Sequence, residues 1–176
     1  IEKLAREQHY DFAYAVAAMV SRGEAFLERQ RAGYVRFYRP EPGQFYGAYS
    51  TRSNSFQNFF IDRLGNESRS VVAFVVTRFQ LPVSAWDNLV ATTGIYVDQF
   101  GRGVKILEPF DGGAFQMFWP LLWSPEEDRD GMRIALENFL YVAADFSNRH
   151  GLPGFVSASA LPEGGYVGKT GIPPAA

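Results

Sequence analysis

Residues 106–122 read ILEPFDGGAFQMFWPLL, and this stretch passes from a turn into a helix about halfway along. Pro109 and the pair Gly112-Gly113 interrupt regular structure, and the apolar residues beyond them predict a helix over residues 114–122. Asp111 is of the residue type that caps the amino end of a helix. The alternative is that the Gly-Gly turn delivers its carboxylate into a cleft, followed at helical spacing by Gln116 and Trp119.

Helical patterns lie on both sides of this stretch. Strong helix formers and apolar residues at helical spacing predict further helices over residues 2–31, 55–79, 85–100 and 125–149. Residues 33–54 alternate Gly and Pro with aromatic residues, which predicts an ordered aromatic loop. Residues 104–107 are expected to form a short strand-like link. The fold is therefore predicted to be all-α, with residues 1–54 as a helix and aromatic loop and residues 55–176 as the main segment.

The composition limits the chemistry that the chain could perform. Its 176 residues include 17 Lys and Arg against 19 Asp and Glu, and this balance argues against a nucleic-acid partner. No Cys is present, and His9 and His150 are far apart, so we expect no metal site, no cofactor and no thiol nucleophile. Acid–base chemistry would then fall to carboxylates. An aromatic fraction of 16% suits the flat faces of sugar rings. No apolar run reaches the length of a membrane span.

A polar block at residues 62–69 lies within the predicted helix 55–79. On a helix Asp62, Asn66 and Arg69 would share one face, and Glu67 would lie on a neighbouring one. The same pattern is typical of a solvated face with salt bridges. Gly65 is unfavourable inside a helix, so we expect another part of the chain to pack closely against its backbone.

A third block, residues 163–169, reads EGGYVGK. Three glycines around Tyr166 predict a turn-rich loop that holds the aromatic residue in a special backbone geometry. A flexible linker is the alternative, although linkers seldom carry Tyr166 and Lys169 in this way. The spacing does not fit a phosphate-binding loop.

These blocks together resemble a known family. The residues that carry the resemblance are NESR at 66–69, the whole stretch 106–122, GGY at 164–166 and GIP at 171–173. In this order and at this spacing they are similar to the bacterial glucoamylase-like domain, over roughly residues 50–174. That group includes endo-β-1,2-glucanases of glycoside hydrolase family 144 and the glucoamylase-like parts of cyclic β-1,2-glucan synthases.

The resemblance implies an (α/α)6 toroid, a periplasmic or extracellular location in a bacterium, and an oligo- or polysaccharide substrate. Five predicted helices are too few for such a toroid, so we expect only part of it here. A partner chain or a missing remainder of the chain would then complete it and cover a large apolar patch. The chain also departs from the family, because Gln116 stands where the hydrolases commonly carry Glu. A Gln hydrogen-bonds a sugar hydroxyl but cannot protonate a leaving oxygen.

The leading hypothesis from the sequence is a glycoside hydrolase that acts on a β-linked glucan with a pair of carboxylates. The candidate catalytic residues are Asp62, Glu67 and Asp111. The candidate substrate-binding residues are Asn66, Arg69, Gln116, Trp119, Tyr166 and Lys169. Two alternatives remain open: a non-catalytic glycan-binding or scaffold protein, and a polysaccharide lyase with Tyr166 as its base.

Overall fold

The computed structural model describes residues 10–157, 159–160, 164–167 and 171–173, and it combines helices with short strands. The α-helices are α1 (Tyr10–Phe37), α2 (Arg69–Phe79), α3 (Ser84–Asp87), α4 (Ala114–Phe118) and α5 (Asp130–Arg149). Turns of 3-10 helix follow at Trp119–Leu122 and Glu126–Asp128. The strands are β1 (Tyr38–Arg39), β2 (Gln44–Tyr46), β3 (Tyr49–Ser50), β4 (Ser55–Phe56), β5 (Phe60–Ile61), β6 (Thr93–Val97), β7 (Gly103–Leu107), β8 (Ser159–Ala160) and β9 (Tyr166–Val167).

The strands form small antiparallel sheets. One sheet has the order β1-β2-β5, and the other pairs are β3-β4, β6-β7 and β8-β9. The prediction of an all-α (α/α)6 toroid is therefore wrong, because strands replace helix in two of the segments predicted to be helical. The division at residues 54 and 55 remains a prediction.

The first of these segments is residues 55–68, which was predicted to begin a long helix. Residues 55–61 instead supply β4 and β5, and α2 starts only at Arg69. Phe60 pairs with Tyr46 across the sheet, and their rings stack at a centroid distance of 5.0 Å. Aromatic cross-strand pairs of this kind stabilise a sheet, and they outweigh the local helical pattern. As a result, Asp62 and Asn66 lie in an irregular loop and do not share a helical face with Arg69.

The second segment is residues 88–100, where the predicted helix is also wrong. α3 ends at Asp87, and β6 then forms a hairpin with β7 in the register Thr93 to Leu107 through Val97 to Gly103. The β-branched residues of β6 favour an extended backbone. The predicted strand-like link over residues 104–107 is confirmed as part of β7.

Two clusters of buried side chains form the interior. One surrounds α2 and contains Phe45, Val72, Val75, Phe79, Ala85 and Leu89. The other surrounds α5 and contains Tyr96, Ile106, Leu107, Ala114, Met117, Leu136, Phe139, Val142, Ala143 and Ile172. Leu64 packs against both clusters. The loop that carries Leu64 therefore lies where the two clusters meet.

Between residues 12 and 26, α1 exposes several large apolar side chains. Phe12, Met19, Val20 and Phe26 are each more than half exposed. Among the described residues, no helix has the length and apolarity that crossing a membrane requires.

The β6–β7 hairpin is fixed to α5 through Asp98. This buried carboxylate accepts hydrogen bonds from the backbone amides of Phe100 (2.9 Å) and Arg102 (2.8 Å). It also accepts from Arg102 Nε at 2.7 Å and from the Tyr141 hydroxyl of α5 at 2.7 Å. Burial raises the pKa of Asp98, but these donors outweigh burial and hold the pKa well below its usual range.

Asp98→Asn is expected to lower the melting temperature by several degrees at pH 7. Because the folded-state pKa of Asp98 is depressed, its stabilisation is present above the unfolded-state pKa of about 3.9 and is lost as the pH falls below it. The variant should therefore lose less stability than the wild type between pH 5 and pH 2. Thermal unfolding followed by circular dichroism measures both effects.

Asp130→Asn is the matched control, because the Asp130 side chain is almost fully exposed in its ion pair with Arg133. Its melting temperature should stay near that of the wild type. Equal effects of the two substitutions would contradict a specific role for Asp98.

Candidate functional site

Arg69 is the centre of the site, and its side chain is completely buried. The guanidinium donates from Nη1 to the carbonyl of Gln116 at 2.7 Å and from Nη2 to the carbonyl of Met117 at 2.7 Å. Nη1 also donates to the carbonyl of Asn66 at 3.2 Å. Arg69 thus joins the first residues of α2, the preceding loop and the end of α4.

Glu126 supplies the charge that balances Arg69. It lies in the 3-10 turn Glu126–Asp128 and is almost fully buried. Arg69 Nε lies 3.1 Å from each carboxylate oxygen, and Nη2 lies 2.8 Å from Oε2. With these bonds all five N–H groups of Arg69 have a partner, so none is left for a sugar. The sequence analysis placed Glu126 only within the predicted helix over residues 125–149, and its local pattern did not indicate this pairing.

The polar block at residues 62–69 and the stretch at residues 106–122 are in direct contact. The amide of Phe110 donates to the carbonyl of Gly65 at 2.8 Å, and a Cβ at position 65 would lie only 2.0 Å from the carbonyl oxygen of Glu108. The expectation that another part of the chain packs against Gly65 is confirmed, although the backbone there is a loop and not a helix. Only glycine allows this approach.

The turn before α4 is held by Asp111 and Gln116. The Gln116 side chain is buried, and its Oε1 accepts from the Asp111 amide at 3.1 Å. Asp111 Oδ1 accepts from the Gly113 amide at 3.1 Å. Since Gly113 is the residue that precedes α4, Asp111 braces the turn but does not cap the helix. Gln116 therefore acts as an internal brace for the same turn.

The segment at residues 171–173, just after the third block, packs against the turn before α4. The Ile172 amide donates to the carbonyl of Gly112 at 3.1 Å, and the Ile172 side chain is completely buried. A Cβ on Gly171 would lie 1.7 Å from the carbonyl oxygen of Asp111, so two glycine-rich segments touch through their backbones. Tyr166 lies in β9, while its side chain and the whole of Lys169 lie outside the described residues.

Asp62 and Glu67 occupy the loop before α2. Asp62 is exposed, and its carbonyl accepts from the Val90 amide at 2.7 Å. Glu67 is half-buried, and its Oε2 is shielded from solvent without a hydrogen-bond partner in the described part of the chain. Between them, Asn66 Oδ1 accepts from the Ser68 amide at 2.8 Å and so holds the loop. Glu67 therefore carries a shielded oxygen whose hydrogen-bonding capacity is not used by the described residues.

An aromatic cleft of about 480 Å³ lies beside this loop, between α1, α2 and residues 119–129. Its lining includes Tyr34, Ser70, Phe74, Trp119 and Trp123. Trp119 packs on Phe115 at 5.0 Å and against Trp123 at 6.0 Å, and both Trp rings remain partly exposed. Ser70 Oγ donates to the carbonyl of Glu67 at 2.9 Å, which connects the cleft wall to the loop. Of the predicted site residues whose side chains the structure describes, Trp119 is the one that lines this cleft.

No family model and no curated protein matches this chain. The resemblance to the glucoamylase-like domain thus remains a prediction from the sequence blocks. Within the described residues, no group of three or more His, Asp or Glu side chains is arranged to hold a metal ion.

Gly65→Ala is expected to destabilise the protein by about 1–3 kcal/mol, because the added methyl group would collide with the carbonyl of Glu108 and force the two loops apart. Urea denaturation followed by tryptophan fluorescence measures the change in unfolding free energy.

Gly23→Ala provides a control in which the same methyl group is added without a collision. Gly23 lies in α1 with no atom close enough to meet a new Cβ. The free energy of unfolding of this variant should rise by about 0.5–1 kcal/mol, because Ala has a higher helix propensity than Gly. A Gly65→Ala protein as stable as the wild type would show that the contact is not tight.

Proposed function

We propose that this chain is a glycan-active domain that hydrolyses a β-linked glucan, with Glu67 and Asp111 as its carboxylate pair. In this proposal the Glu67 carboxyl protonates the leaving oxygen of the glycosidic bond. The Asp111 carboxylate activates water or hydrogen-bonds the sugar. Asp62 is the less suitable of the two loop carboxylates, because it is exposed to solvent.

The observation that carries the proposal is the unpartnered oxygen of Glu67. A buried polar atom in a folded protein nearly always has a hydrogen-bond partner, and an exception calls for an explanation such as a catalytic role. Glu67 Oε2 is shielded from solvent and has no partner among the described residues. In the proposal, a hydroxyl or the bridging oxygen of a bound sugar supplies the missing partner.

The arrangement of the two loops also supports a paired role. Arg69 binds the carbonyl of Asn66, which precedes Glu67, and the carbonyl of Gln116, whose side chain holds the Asp111 turn. Both carboxylates are therefore carried by segments that one buried side chain holds together. Fixed geometry of this kind is what acid–base catalysis by two groups needs.

The aromatic cleft supports a sugar ligand. Trp119 and Trp123 offer apolar ring faces, and Ser70 and Thr77 line the same cleft with hydroxyl groups. A mostly apolar cleft with a few polar groups is the usual form of a small-molecule site. A pyranose ring would stack on the indole faces while its hydroxyls reach the cleft wall.

Glu67→Gln and Asp111→Asn should each lower glucan cleavage at least about a hundredfold, because each removes a group that exchanges a proton or contacts the reacting water. The measurement is release of reducing ends from soluble β-1,2-, β-1,3- and β-1,4-glucans. Glu67→Gln should still bind the oligosaccharide that the wild type cleaves.

Glu137→Gln is the control for this pair, since Glu137 is exposed on α5 in an ion pair with Arg133. It should cleave at the wild-type rate. Wild-type rates in both carboxylate variants would contradict the proposal.

Gln116 favours a second candidate function, that of a glycan-binding domain without catalysis. Its amide oxygen is used inside the protein to hold the Asp111 amide. In the family that the chain resembles, this position commonly carries an acidic Glu. Gln116 supplies no acid there. Tight binding of a glucan without any product would support this candidate over hydrolysis.

Trp119→Ala is expected to weaken oligosaccharide binding about tenfold, because it removes the ring on which a sugar would stack. Isothermal titration calorimetry measures the affinity under either function. Tyr14→Ala, which alters a strongly exposed ring on α1, is the control and should bind like the wild type. Equal affinities of all three proteins would exclude the cleft as the binding site.

A further inference from the structure

We infer that Glu126 is a positioning residue, which sets the distance between the Glu67 loop and the Asp111 turn through Arg69. The inference rests on the proposed function for its catalytic consequence. The positioning itself is a property of the two loops and has its own measurement.

The burial of Glu126 is the first step of the argument. Both carboxylate oxygens are occupied by Arg69, and the pair is withdrawn almost completely from water. A buried ion pair is often no more stabilising than well-packed apolar side chains of the same size, because the desolvation of both charges opposes their attraction. Stability alone is thus a weak account of why the chain places two charges here.

The second step concerns the hydrogen bonds that the Arg69 guanidinium, paired with Glu126, donates to backbone carbonyls. Its orientation is fixed by the contacts of Nε and Nη2 with Glu126, and the remaining N–H groups then bind the carbonyls of Asn66, Gln116 and Met117. Without the Glu126 carboxylate, the orientation of the guanidinium would no longer be fixed. The Glu67 loop and the Asp111 turn would then no longer be held at a defined distance from each other.

The third step is the short path from these carbonyls to the two carboxylates. Glu67 is the residue after Asn66, and Asp111 is bound by the side chain of Gln116. Glu67 is therefore one peptide bond away from a carbonyl that Arg69 binds. The Asp111 backbone is one hydrogen bond away from the side chain of Gln116, whose own carbonyl Arg69 also binds. A displacement of about 1 Å between reacting groups costs on the order of a hundredfold in rate.

The test compares Glu126→Gln, the double variant Arg69→Met with Glu126→Leu, and the control Glu127→Gln, whose side chain is the exposed neighbour of Glu126. The double variant replaces both charges by apolar side chains of similar size and is meant to keep the protein folded. Thermal unfolding checks this before any other measurement.

On a glucan that the wild type cleaves, both Glu126 variants should have a kcat at least about tenfold below that of the wild type. Their KM should stay within about twofold of the wild-type value. Glu127→Gln should match the wild type. A role limited to stability would leave kcat unchanged in folded protein well below the melting temperature. Wild-type kcat in a folded double variant would therefore overturn the inference.

Amide hydrogen exchange provides the measurement that does not need activity. The Phe110 and Asp111 amides, which bind Gly65 and Gln116, should exchange at least about tenfold faster in both Glu126 variants, while amides in the middle of α5 keep their protection. Unchanged exchange at both amides would overturn the positioning role. Faster exchange in a protein whose wild type cleaves no glucan would sustain the positioning role and defeat the proposed hydrolase.

Discussion

The structure around the candidate site depends on the complete burial of one cation, Arg69. A guanidinium withdrawn from water is tolerable only if a counter-charge lies beside it and its N–H groups are all bonded. Here Glu126 provides the charge, and backbone carbonyls from two other segments take the remaining donors. The requirements of one side chain therefore fix the relative positions of the loop before α2, the end of α4 and the turn before α5.

Glycine makes this meeting of loops sterically feasible. Gly65 lies against the carbonyl of Glu108, and Gly171 lies against the carbonyl of Asp111. Gly112, between these contacts, has a φ of +73°, which other residues seldom adopt. The backbones consequently approach more closely than any side chain would allow. Packing thus explains Gly65, Gly112 and Gly171, whereas Gly164 and Gly165 have no atom close enough to meet an added Cβ.

The sequence predicted elements whose pattern is local and missed those that depend on distant partners. The helical spacing correctly indicated α5 and much of α1, and the close packing at Gly65 was anticipated from its glycine. The helix over residues 55–68 was wrong because Phe60 pairs with Tyr46, a partner outside the window that determines helical periodicity.

The same distinction holds within the site. Asp111, Gln116 and Trp119 were chosen from their neighbours in the sequence, and the structure brings Asp111 and Gln116 together. Glu126 was missed because its partner Arg69 is 57 positions away.

The charge balance of the site bears on which carboxylate would do chemistry. Arg69 and Glu126 neutralise each other, and the side chain of Gln116 accepts its hydrogen bond from the Asp111 amide without adding a charge. A Glu at position 116 would bring a second negative charge close to the Asp111 carboxylate, and like charges at short range destabilise each other. The amide braces the Asp111 turn without this repulsion. In the proposed hydrolase the acid would then come from elsewhere. Glu67, whose shielded oxygen lacks a partner among the described residues, lies on the loop that Arg69 holds against that turn.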